Sequence, residues 1–340
     1  MPKLRVDPQQ AHVPTVWMIC PDWDKPTGGI RVQYRAVDSL NAAGLSAAIV
    51  HHKAGFACTW FHHETRIVPA PDVVVGARDV IVVPEVYGSS ILNLPRGVRQ
   101  VIFNQNAYNT LDSLMGDEVA AAPYRDNPDL TAVIVVSEDN AELLRYVFPM
   151  APIRRVRVGL DDAVYHPPTQ APSNRIAYMP RRRRDDVAAV LGLLEMRGVF
   201  DRWEPVAIDG CSEAEVASAL RSSRLFLSFS EREGFGLPPC EALACGCIVV
   251  GFDGFAGREF FRDPFAIAVP DGDVVGMARE TERVLRRIEQ RPSEMAAVSA
   301  AGSRFIRDAY PPEATGQDLV KIFTPLLRPK PRSPLILSEA

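Results

Sequence analysis

Two glutamates eight residues apart, Glu233 and Glu241, bracket the stretch of this chain with the densest candidate chemistry. Between them lie Gly234, Phe235, Gly236 and Leu237, then a Pro238-Pro239 pair. Glycines lack a side chain, so an anion can approach their backbone closely. A helix start offers that anion free amides and the positive end of a dipole. A carboxylate in the first turn of such a helix can accept hydrogen bonds from both vicinal hydroxyls of a ribose. The pattern suits a nucleoside diphosphate whose sugar parts are held by acids. A plainer reading, acids at the favourable end of a short helix, is worth a few tenths to about 1 kcal/mol each. It accounts for Glu241 alone as well as the first reading does, but not for the whole run.

The elements that must position these groups surround them. Leu225-Phe-Leu-Ser-Phe229 is a short apolar run, read as a buried strand entering the loop. The prolines mark the mouth of the next helix and Gly246 its stop. Further apolar runs predict strands over 16–20, 47–51, 80–84, 98–103, 132–137 and 154–158, with helices over 30–43 and 138–148. A second series predicts strands over 176–179, 204–208, 248–251 and 266–269. Its helices fall over 185–197, 212–222, 257–262, 274–290 and 293–309. Alternating strands and helices predict parallel sheets. A Pro, Thr, Gln, Ser and Asn cluster over 167–174 reads as a linker. The expected domains are 1–168 and 169–311, then a helix over 312–327 and a loose tail over 328–340.

The run Glu233-Gly-Phe-Gly-Leu-Pro-Pro-Cys-Glu241-Ala-Leu-Ala-Cys-Gly246 resembles the E-x7-E signature of the retaining group 1 (family 4) glycosyltransferases. The resemblance extends more weakly over about residues 16–327. It implies the α/β GT-B fold: two Rossmann-like, doubly wound parallel-sheet domains facing a central cleft, with the C-terminal helix crossing back to the first domain. It also implies a retaining transfer of one sugar from a nucleoside diphosphate-sugar to an acceptor hydroxyl of a glycan, glycolipid or other conjugate. No metal and no cofactor would be needed.

On this resemblance Glu233 orients the donor sugar and Glu241 holds the ribose, while Gly234, Phe235, Gly236 and Leu237 line the donor. The family places a glycine pair after its first strand, against the diphosphate or the acceptor, and Gly28-Gly29 holds that position. Arg181 matches the family's arginine after the first strand of the second domain. The family's lysine about five residues later is missing, with Asp186 near its place, so Arg182 or Arg183 must stand in. Arginine offers a bidentate fork where lysine offers a point charge. Asp209 falls close to the nucleobase by family position. Gln105 and Asn106 occupy the loop where many members carry a histidine, and are the candidate contacts to sugar or acceptor.

Bulk properties narrow the classes. At 340 residues, with 47% apolar and 24% charged residues, the chain fits two ordinary globular domains. A net charge of -4 argues against a nucleic-acid binder that relies on overall basicity. No apolar run reaches membrane-span length and the start lacks a signal-peptide core, so the expected location is cytoplasmic or peripheral at the inner membrane face. The six cysteines read as buried thiols, and Cys245-Gly-Cys247 has poor zinc spacing. Asp22-x-Asp24 and Asp161-Asp162 lack the context of a metal-bound phosphate site. His51, His52, His62 and His63 read as surface or satisfied histidines.

Lysine occurs only at 3, 25, 53, 321 and 330, which argues against a phosphorylase dependent on a pyridoxal phosphate Schiff base. A glycosidase would share the paired acids but not the glycines and arginines around them. Gly28-Gly29 does not supply the glycine fingerprint of a nicotinamide oxidoreductase. The alternative that stays open is a non-catalytic GT-B subunit that binds a partner or a glycan.

Overall fold

The computed structural model describes residues 1–328; of the expected tail, residues 329–340 lie outside the described residues. The first half begins with β1 (Arg5–Val6), β2 (Thr15–Ile19), α1 (Gly28–Ala42), β3 (Ser46–His51), β4 (Ile67–Pro69) and β5 (Val74–Val75). It continues through β6 (Val80–Pro84), β7 (Arg99–Asn104), α2 (Ala107–Gly116), α3 (Ala122–Arg125), β8 (Leu130–Val135), α4 (Glu138–Val147) and β9 (Ile153–Arg155). Seven of these strands form one parallel sheet in the order β4-β3-β2-β6-β7-β8-β9. Every residue of β2, β6 and β7 is buried, as expected for strands covered on both faces.

The second half runs through β10 (Arg175–Tyr178), α5 (Arg184–Met196), β11 (Glu204–Ala207), α6 (Glu213–Ser222), β12 (Leu225–Ser230) and α7 (Leu237–Ala244). Then come β13 (Ile248–Asp253), β14 (Ala266–Ala268), α8 (Val274–Gln290), α9 (Pro292–Ala309) and α10 (Ala314–Leu326). Its five strands make a second parallel sheet, β11-β10-β12-β13-β14. Local signals set the helix starts: Ser137 caps α4 through the Asn140 amide, and Ser212 and Glu215 close a capping box on α6.

Three apolar clusters fill the molecule. One belongs to the first sheet, around Ile19, Val83 and Ile102. Another belongs to the second, around Leu227, Phe229 and Val250. The third runs through both halves, joining Val16 and Tyr34 to Phe226, Phe235 and Phe260, and to Leu319 and Phe323 of α10. α10 is stitched to the first domain by polar bonds as well. Arg157 grips Asp318 from Nε and Nη2 at 2.8 and 3.1 Å, and Thr315 accepts the Gly159 amide at 2.8 Å. Burial pushes the Asp318 carboxyl up, but Arg157 and Lys321 outweigh it and hold it down at about 2.

Three expectations change. α7 starts at Leu237 behind Gly236, whose φ of 90° suits glycine, so Glu241 sits in the second turn rather than the first. The helix expected over 257–262 is a 3-10 turn over Ala256–Glu259, in which the Phe260 amide bonds three residues back to Gly257. α2 was not among the expected helices. Asn106 caps it, and Asn104 Nδ2 ties it to the following segment by donating to Thr110 and Tyr124 at 2.7 and 2.8 Å.

Candidate active site

Strands β2, β6, β7, β10 and β12 all point their carboxyl ends into one cleft of about 730 Å³ between the two sheets. Two helices aim their N-termini into it. α1 starts at Gly28, α7 at Leu237, and neither has a side chain capping its free amides. The Thr27 hydroxyl oxygen, ahead of α1, is buried without a protein partner. Two uncapped positive helix ends meeting in one cavity favour an anion with more than one charged group.

The glycines bring the halves together. A Cβ on Gly28 would lie 2.8 Å from Leu237 Cδ1. A methyl on Gly234 would overlap the Gln105 carbonyl oxygen and lie 2.8 Å from its carbon. These glycines therefore serve close domain approach as well as ligand access. Gly29 lies beside the Gln105 side-chain amide, which donates to its carbonyl at 3.0 Å.

Glu233 faces the cleft at the end of the β12 loop, with its amide on Gly254 O and Arg182 Nη1 3.3 Å from its carboxylate. Burial raises its pKa, partly offset by Arg182 and Arg181. Glu241 is 4% exposed and its Oε1 is bound by Arg31 Nη2 of α1. No protein group bonds its Oε2 among the described residues. Arg31 also reaches Glu213 Oε1 at 2.6 Å and the Tyr165 hydroxyl at 3.1 Å. Burial works against the charge on Arg31, but Glu241, Tyr165 and Glu213 outweigh it and raise its pKa.

The four arginines after β10 separate. Arg181 and Arg182 line the cleft; Arg181 Nη1 donates to Pro26 O across it at 3.0 Å, and Arg182 donates to Glu231 O at 3.0 Å. Arg181 has no carboxylate partner within salt-bridge distance among the described residues. Arg183 is a correction to the expected donor set. It adopts a left-handed conformation, φ 48°, ahead of α5 and pairs with Asp186 and Asp271 at 3.0 and 2.5 Å. Its guanidinium lies over the Phe252 ring, outside the cleft lining. Two acids and an aromatic face hold it where a neutral turn would have left it free.

Asp209 and Leu237 line the cleft. The Phe235 ring is anchored against Phe260 and Tyr310, centroids 5.6 and 5.0 Å away. Asn106 and Gln105 also line the cleft, but their amides are engaged: Asn106 Nδ2 donates to Arg232 O at 3.0 Å, as Gln105 does to Gly29.

Sequence reasoning missed Glu85, directly after β6. Its carboxylate, 7% exposed on the cleft wall, accepts the amides of Gln105 and Asn106 at 3.0 and 3.1 Å. Burial lifts its pKa from 4.5 to about 7 against the pull of those amides. A group bound more strongly to its proton when folded makes the fold less stable as pH rises from about 4.5 to about 7. Ionised, it accepts both amides; protonated, it loses acceptor capacity, and the loop bridging Gly29 to Arg232 loosens. Activity is therefore expected to rise through about pH 7. Glu85→Gln should flatten that rise and lower the rate about tenfold, read from pH–rate profiles. Arg31 and Glu213 were missed too. The one available signal for Glu85 was an acid following a fully apolar strand.

Asp22 and Asp24 staple loops, Asp22 holding the amides of His52 and Lys53 and Asp24 both donors of Thr59. His51 is buried between Tyr34 and Asp22. Five of the six cysteines are buried.

Comparison with known proteins follows the same lines. Residues 207–296 match the family model "Glycosyl transferases group 1". An alpha-1,6-glucosyltransferase of Actinobacillus pleuropneumoniae is 26% identical over 266 residues, 75% of this chain and 78% of that one. Sucrose-phosphate synthase of Thermosynechococcus elongatus superposes with a TM-score of 0.70 at 15% identity, covering 92% of this chain and 99% of its own. Anabaena HepE, in complex with UDP and glucose, gives 0.64 at 12% identity over 92% and 100%. The two facing parallel-sheet domains are those of the GT-B fold. The segment similar to group 1 glycosyltransferases includes the β12–α7 cassette, which lines the cleft from the second half of this GT-B fold.

Proposed function

We propose that the protein moves one sugar from a nucleoside diphosphate-sugar to an acceptor hydroxyl, with retention at the anomeric carbon and without a metal. The observation that carries this is the convergence of two uncapped helix starts with Arg181, Arg182 and Glu233 in one cleft. The positive charge that a metal would bring to a diphosphate is supplied by amides and guanidiniums. In the reaction the bond from the anomeric carbon to the phosphate oxygen breaks, and its electron pair leaves with the diphosphate. The helix amides and Arg181 stabilise that developing charge, a preorganised electrostatic effect. Glu233 orients the donor-sugar hydroxyls. Glu241 offers Oε2 to the ribose while Arg31 fixes Oε1. The acceptor oxygen bonds the anomeric carbon from the face being vacated, and its proton passes to the departing phosphate oxygen.

UDP-glucose is the first donor to try, since HepE carries UDP and glucose and the Actinobacillus relative is a glucosyltransferase. A panel of UDP-, GDP-, ADP- and dTDP-sugars, with and without EDTA, tests the reading. The expected result is thermal stabilisation by one donor type and its slow hydrolysis to the retained anomer, unchanged by chelator. Stabilisation without any turnover would turn the reading toward a binding subunit, and release of the inverted anomer would refute retention.

A further inference from the structure

The four tryptophans form two contrasting pairs. Trp17 and Trp203 are 6% and 2% exposed, their indole N–H groups bonded to Asp79 and Glu289. Trp23 and Trp60 instead line the cleft, and Trp23 is 50% exposed. Leaving so large an apolar ring in water wastes burial free energy, and such exposure marks contact surfaces.

The backbone that carries Trp23 is also held in place. Asp24 accepts the Thr59 amide and hydroxyl at 2.8 and 2.9 Å, and the Cys58 thiol donates to Trp23 O at 3.7 Å. Asp22 takes the His52 and Lys53 amides at 3.0 and 2.9 Å. The two loops that carry these tryptophans are thus fastened to each other on either side of Trp23. Val86, 60% exposed, adds a further apolar group on the first-domain wall. Polar groups interrupt this wall: Glu85, Gln105 and Asn109. A pyranose has one flat face of C–H groups and a rim of hydroxyls, and such a wall offers partners for both.

We propose that Trp23 and Trp60 form the acceptor subsite, and that the acceptor presents a sugar ring to them, stacked through its apolar face. This deepens the sugar-transfer reading above by naming the acceptor class as a saccharide. Because Trp17 and Trp203 are buried away from the cleft lining, a change in intrinsic fluorescence on ligand addition reports chiefly on the cleft pair. The probes are methyl glycosides of glucose, galactose, mannose, rhamnose and N-acetylglucosamine, with octyl phosphate as the lipid control.

At least one glycoside is expected to shift the fluorescence of the intact protein and to accept sugar from the donor found above. Trp23→Ala should raise its KM about tenfold, and Trp23→Tyr should recover most of the loss. Failure of donor hydrolysis in the unaltered protein would refute the donor reading alone, since a fluorescence shift by a glycoside still supports the subsite. No shift by any glycoside, a shift by octyl phosphate in their place, or an unchanged KM in Trp23→Ala would each overturn the saccharide subsite.

Discussion

Gly234→Ala is expected to lower sugar transfer about a hundredfold, the loss associated with misplacing catalytic groups by about 1 Å. The physical cause is a collision between two backbones. The added methyl would overlap the Gln105 carbonyl and crowd Asn106 Cα at 3.2 Å. Neither neighbour is a flexible side-chain tip, so no rotamer change gives relief. The two halves of the cleft must separate, which moves Glu233 away from Gln105 and the start of α1. Overpacking of this kind also costs about 1–3 kcal/mol of stability. Gly236→Ala has a different signature: it strains a φ of 90° but meets no backbone, so its loss should fall more on stability than on rate. Steady-state release of nucleoside diphosphate, beside urea unfolding, distinguishes the two. Unchanged kcat/KM in Gly234→Ala would show that the closed approach at Gln105 is not the active arrangement.

Removing Arg31 is expected to be the most destabilising single truncation at the cleft. Its side chain is 10% exposed and serves Glu241 and Glu213, whose side chains are 5% and 12% exposed. Truncating one member of a buried ion pair leaves its partners desolvated and uncompensated, at about 3–5 kcal/mol. Arg35 shares Glu213 from a more open position, with its side chain 30% exposed at 2.9 Å. Arg35→Ala should therefore cost under about 1 kcal/mol. Equal midpoints for the two variants in urea would contradict this account. Because Arg31 stands on the first domain and both acids on the second, its loss should also weaken nucleotide binding, measurable by calorimetry with UDP.

The parts of the molecule legible in the sequence were those fixed by local rules. Largely apolar runs such as Val80–Pro84 and Leu225–Ser230 had to be covered on both faces, and they are. Ser212 with Glu215 announced α6 because a capping box is local to one turn. The cassette was legible because glycine, proline and acid each have a narrow structural meaning at a strand–helix junction. Pairings set only by tertiary structure were not. Arg31 meets Glu241 across 210 residues, and nothing near either one specifies the other. Glu85 depends on two amides 20 and 21 residues away. Arg183 looked interchangeable with its neighbours until the left-handed turn ahead of α5 directed it to Asp186 and Asp271.

The cations among the residues lining the cleft are all arginines, and this fixes how the cleft responds to its surroundings. Guanidiniums keep their protons at any pH the fold survives. Arg31, Arg181 and Arg182 therefore act as permanent charges, while the Glu85 carboxyl on the same wall, pushed up to about 7, changes its charge near neutrality. Amine chemistry divides the chain in the same way. Reagents for lysine find Lys25 beside the Trp23 ring, but no target at all between residues 54 and 320. Acylation or amine cross-linking therefore reaches the first half beside Trp23 and leaves residues 54–320, with the whole second sheet, without a modified lysine.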